Sequence, residues 1–183
     1  MVISNITYVP MNEEVTCSMS ACLAMLLSYY GISMSIGDIS DLFGSTFLST
    51  EFHKWNMHAM DLEKYEVSEM MTCAQYIINT KLEGMVADVV PTQVPKVKLS
   101  YIKRGIPVIA TGKFPLLTGH ISNSILIKGY VDDYLIVNDP RGNANSGYRD
   151  RFGENLLYEQ KDLVRWISSD KAHLLRVLQR PKK

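Results

Sequence analysis

Cys17, His120 and Asp139 are the side chains whose types, order and surroundings suit nucleophilic thiol chemistry. That chemistry needs a thiolate, an imidazole that takes and returns a proton, and a group that holds the imidazole's far nitrogen. Cys17 stands at the head of a run, 18–30, with no Pro or Gly and little β-branching, which reads as a helix. Thr16 is the expected N-cap and places Cys17 on the first turn, where free backbone N–H groups and the positive end of the dipole favour an anion. His120 follows Gly119 at the start of a β-rich region, and Asp139 closes the next strand, just before Pro140. Two adjacent antiparallel strands set a His from one beside an Asp from the other. The bare order Cys, His, Asp is weak evidence, because most chains contain one, and Cys17 alone reads equally as a small buried thiol. The setting of each member carries the reading.

The elements that must position these groups follow from periodicity and punctuation. Met19, Cys22, Leu23, Leu26, Leu27 and Tyr30 repeat at the spacing of a buried helical face, and Gly31 supplies a left-handed stop. Ser35 caps a second helix, 36–43, with Asp38 completing a variant capping box, and 44–46 reads as a break. Two more helices are expected over 51–64 and 68–82. Near Gly84 the character changes to strands: 85–90, then 107–114, 123–130 and 134–139, and later 154–159 and 172–179. One or two helical turns fall in 95–103 and a short helix around 162–166. Helices first and strands later predict an α+β fold, a helical half against an antiparallel sheet, and the length suits a single domain over 1–183.

At these residues the chain resembles a known family. The stretch from Cys17 to Gly31, with Ala-Met-Leu-Leu-Ser-Tyr-Tyr-Gly at 24–31, is similar to the nucleophile helix of the bacteriocin-leader-processing peptidases and their free-standing relatives, which are papain-fold cysteine peptidases. Gly-Ile-Pro-Val-Ile at 105–109 resembles the strand before the family's histidine. Gly119-His120, Ile-Lys-Gly-Tyr at 127–130, and Tyr-Leu-Ile-Val-Asn-Asp-Pro-Arg-Gly-Asn at 134–143 resemble its His and Asp-Pro strands. Gly147-Tyr148, 153–158 and Trp166 resemble the phage-encoded lytic relatives more than the transporter-linked ones. The resemblance implies a papain-like fold with Cys17 as nucleophile, His120 as base and acid, and Asp139 as orienter. It also implies an oxyanion hole formed by the Cys17 backbone N–H and an amide side chain a few residues upstream. The family uses Gln there, and Asn12 is the neutral amide available in this chain. Two further departures are plain: Ser18 stands where the family has Gly, and nine residues separate His120 from Gly129, a longer spacing than the family's.

Other candidates are structural. His53 and His58 lie about 140° apart around a helix and do not share a metal. His173 sits beside Asp170 and Lys171 and reads as solvated. Cys22 falls on the apolar stripe, and Cys73 has nothing chemical near it. Asn138 is an alternative orienter, as an Asn is in papain, but strand alternation puts it on the face opposite Asp139. With 19 basic and 19 acidic side chains the formal charge is zero, which argues against capture of nucleic acid. Three cysteines without CxxC spacing indicate neither a disulfide framework nor a zinc site. No signal peptide or membrane span is visible, so a cytosolically made chain is expected. The expected enzyme is a cysteine hydrolase of amide bonds with no metal and no organic cofactor. Its first-choice substrate is the peptide part of bacterial peptidoglycan, which would place its action at the cell wall. Its alternatives are a protein or leader peptide, or a papain-fold binding module that has lost catalysis.

Overall fold

The computed structural model describes residues 1–11, 17–49, 69–167 and 172–180. Asn12, Thr16, His53, His58 and the helix expected over 51–64 lie outside them. Five α-helices are described: α1 (Ser18–Tyr29), α2 (Ile36–Phe47), α3 (Glu69–Lys81), α4 (Val97–Ser100) and α5 (Gln160–Ile167). Six strands, β1 (Met85–Thr92), β2 (Val108–Pro115), β3 (His120–Val131), β4 (Tyr134–Asn138), β5 (Leu156–Glu159) and β6 (Ala172–Gln179), form one antiparallel sheet in the order β1-β6-β2-β3-β4-β5. The fold is α+β, as expected.

Helix α1 packs on β2 and β3 and against α2 and α3. Every residue from Met19 to Leu27 is buried, so the helix is enclosed on all sides and not merely along the predicted stripe. Its one polar side chain in that run, Ser20, accepts a hydrogen bond from Ser40 of α2 at 3.2 Å. Gly31 adopts the left-handed stop at φ 77°. Helix α2 carries the reciprocal cap: Ser35 Oγ accepts from the Asp38 N–H at 3.0 Å, and Asp38 Oδ2 accepts from the Ser35 N–H at 3.2 Å. The break expected at 44–46 is absent, and α2 runs through it to Phe47. Thr46 is buried there and Phe43 stacks on Phe47. Tertiary packing thus overrides a glycine cost of about 1 kcal/mol.

The sheet departs from expectation mainly in β3, which starts at His120 and not near 123. A bulge between Ile127 and Gly129 shifts the β3–β4 register. At Gly129 the N-terminal segment lies so close that a Cβ would meet the Met1 carbonyl at 2.8 Å. Gly112 of β2 plays the same part for α5, since a Cβ there would lie 2.2 Å from the Trp166 carbonyl oxygen. His173 is half-buried on β6 opposite Pro91, so the expectation of a solvated side chain is corrected: a chain end becomes an inner strand when β6 inserts between β1 and β2.

Candidate active site

Cys17 is itself the N-cap of α1 (φ −89°, ψ 102°), so the helix starts one residue later than expected, and its first intrahelical bond runs from the Ala21 N–H to the Cys17 carbonyl. The thiol is half-buried at the positive end of a fully packed helix. The next residue explains its own identity. The β3–β4 ladder ends at Leu126 and Asn138, and Pro140 turns the chain away. The Ser124 N–H beyond that last pair donates instead to Ser18 Oγ at 2.9 Å. A glycine at 18 would leave that donor unanswered. The bond pins the start of α1 to β3, with Cys17 and Asn123 each one residue from it.

Asp139 is fully buried just past β4. Its Oδ1 accepts from Asn123 Nδ2 at 2.9 Å and from the Arg141 N–H at 3.0 Å. Its Oδ2 accepts from the Tyr158 hydroxyl at 2.9 Å and the Tyr148 hydroxyl at 3.2 Å. The backbone is held as firmly: the Asp139 N–H donates to the Gly153 carbonyl at 2.8 Å, and the Asp139 carbonyl accepts from the Tyr8 hydroxyl at 3.1 Å. Burial pushes the carboxyl up to about 6, against the opposing effect of its four donors. The same burial, with the carboxylate alongside, raises the Tyr148 and Tyr158 hydroxyls, so both act as donors.

The expected pairing of His120 with Asp139 is not the one formed. His120 is exposed at the first position of β3, opposite Pro115. Asn123 lies three residues on, about 10 Å along the strand, and an odd spacing puts the two side chains on opposite faces. Asn123 is 1% exposed and lies on the face that meets Asp139. Since a carboxylate only accepts, the amide must present its nitrogen to Asp139. That same nitrogen also donates to the Tyr148 hydroxyl at 2.9 Å, and Oδ1 finds no partner among the described residues.

Asn138 takes the opposite face, as alternation requires. Its Nδ2 meets Met25 Sδ of α1 at 3.6 Å, and its Oδ1 accepts from the Asn155 N–H. Cys22 and Cys73 are buried, and burial raises both thiols, Cys73 to about 12. Among the described residues no group of His, Cys, Asp and Glu side chains is placed to hold a metal ion, and no helix is long and apolar enough to cross a membrane. The side chains that the sequence reading did not place at the site, and that the structure sets on Asp139, are Asn123, Tyr148 and Tyr158. The over-long interval from His120 to Gly129 is the signal that points to Asn123.

A family model described as the Peptidase_C39 like family matches residues 3–172. A search of curated proteins finds no match. Among solved structures, the chain is similar to a double glycine motif protease from an AMS/PCAT transporter in complex with the leader peptide, at TM-score 0.54 and 14% identity, over 99% of this chain and 94% of that one. It is similar to the peptidase domain of Streptococcus ComA, a bi-functional ABC transporter involved in a quorum sensing pathway, at TM-score 0.53 and 14% identity, over 96% and 100%. A protein described as a C39-like peptidase from Bacillus anthracis aligns at TM-score 0.51 and 16% identity, over 99% and 98%.

Proposed function

The chain belongs to the Peptidase_C39-like family and is by class a cysteine peptidase, and from that premise we propose that Cys17 is the thiol that acts on the amide bonds of a peptide. The observation that carries this is the half-buried Cys17 at the start of α1, whose neighbour Ser18 is bonded to Ser124 of β3, the residue that follows the Asn123 paired with buried Asp139. In such a site the sulfur attacks the peptide carbonyl, an S–C bond forms, and the oxygen takes up negative charge. Collapse breaks the C–N bond, the amine leaves with a proton, and water hydrolyses the thioester. The Cys17 backbone N–H and the Asn12 amide are the proposed donors to the oxygen, and Asp139 is the carboxylate that orients the neighbouring polar group.

The favoured substrate is a leader or other protein segment, because a neighbour of the same fold is a protease solved with a leader peptide. The peptide part of peptidoglycan is the second reading, resting on the likeness of 147–166 to lytic relatives. Tyr148 and Tyr158 of that stretch are occupied in holding Asp139, which is support work common to any substrate.

Peptidyl chloromethyl ketones and a peptide library read by mass spectrometry test the proposal. Cys17 should take up the peptidyl probe in preference to Cys22 and Cys73, and faster than a chloromethyl ketone without a peptide. Any hydrolysis should vanish in Cys17→Ala. Undiminished turnover in that variant, or labelling indifferent to the peptide, sinks the reading. Purified sacculi, assayed for new amino termini, separate the two substrates.

A further inference from the structure

We infer that Asn123 occupies the seat in which a thiol peptidase holds its imidazole, so that Cys17 works without a proton-transfer partner and turns peptide over slowly. This rests on Cys17 being the thiol that faces the peptide.

An imidazole in this role uses one nitrogen on the orienting carboxylate and turns the other towards the sulfur. The Asn123 amide has the same two-ended character. Its Nδ2 is spent on Asp139 and on Tyr148, and its Oδ1 is buried with no partner among the described residues. The adjacent residue, Ser124, is tied to Ser18, the neighbour of Cys17. The seat is therefore fixed from both sides, by Asp139 on one and by the start of α1 on the other. His120 does not reach it, being three residues away on the opposite face of β3 and exposed.

The chemical consequence is specific. An amide is neutral over the whole working range of pH. It accepts a hydrogen bond but takes no proton from the Cys17 sulfur, and it has none to give to the departing amine. Attack and collapse then depend on water for both transfers, and general acid–base assistance of about 10²–10⁴-fold is lost. Recognition of the peptide is untouched by this change.

The test is Asn123→His in the full chain, with Cys17 alkylation by iodoacetamide at pH 6 and peptide hydrolysis as two separate readouts. Alkylation should rise about tenfold or more, as a thiolate–imidazolium pair forms, and kcat should rise about 10²-fold with little change in peptide affinity. If Asn123→His lowers the melting temperature too far to be read, Asn123→Gly with added free imidazole replaces it, and a saturable stimulation of alkylation is expected. A folded Asn123→His protein with neither rate raised, or an unstimulated Asn123→Gly protein, overturns the inference. So does fast wild-type turnover that disappears in His120→Ala, since the proton would then travel through His120. The alkylation readout needs no peptide. A failure of the peptide assignment therefore leaves Cys17 unlabelled by peptidyl probes, while the alkylation rates still decide the role of Asn123.

Discussion

Asp139 is the most heavily hydrogen-bonded carboxylate among the described residues. Four donors converge on a carboxylate that burial alone would drive towards neutrality, and burial still wins, leaving it at about 6 against an ordinary 3.8. The sign of the linkage is then fixed. The folded state holds the proton more tightly than the unfolded chain. The stabilising contribution is therefore complete below about 3.8 and is lost as pH rises through about 6. The size is up to about 3 kcal/mol, from two pH units at about 1.4 kcal/mol each. Urea unfolding of wild type and Asp139→Asn at pH 4 and pH 7 checks it. The advantage of wild type over the variant should shrink by an amount of that order on going to pH 7, and a constant difference would refute it. The residue scale also explains why Ser18 replaces the family's glycine, since Ser18 Oγ is the partner of the stranded Ser124 N–H. Ser18→Gly should cost about 1–3 kcal/mol, the usual range for an unanswered buried donor, and should loosen the start of α1, seen as faster amide exchange at Ser124.

At the scale of elements, two close approaches set the site. The segment after β4 runs against Gly153, where a Cβ would lie 1.8 Å from the Asp139 carbonyl oxygen and 2.7 Å from the Tyr8 hydroxyl. Gly153→Ala must push backbone away from backbone and break the Asp139 N–H bond to the Gly153 carbonyl. A loss of about 3 kcal/mol or more is expected, at the severe end of overpacking, measurable by chemical denaturation. Helix α2 is a control of the opposite kind. Its capping box is local and distant in sequence from β3 and β4. Ser35→Ala should lower stability by about 1 kcal/mol while leaving Cys17 alkylation unchanged. A change in alkylation would mean that α2 helps to seat α1 more directly than their packing suggests.

Taken whole, the described residues share one contiguous hydrophobic cluster that runs from Ile3 through α1 and α3 to β6, so we propose that 1–183 is a single domain. Calorimetry should show one cooperative transition whose van't Hoff and calorimetric enthalpies agree. Two resolved transitions would divide the helical half from the sheet. Much of this molecule is determined by its sequence alone. The α1 helix and its glycine stop, the Ser35–Asp38 cap, most of the strands and the α+β class all rest on short-range pattern: periodicity, capping chemistry and turn residues. The opposite faces of Asn138 and Asp139 follow from strand alternation in the same way. Only the tertiary structure decided which side chain meets Asp139. That depends on where β3 begins, on its bulge at Ile127 and Gly129, and on where the β3–β4 ladder ends. A shift of one residue in register moves every side chain to the other face, and a sequence read locally does not contain the register. His120 had the right chemistry for the seat, but strand geometry gave the seat to Asn123.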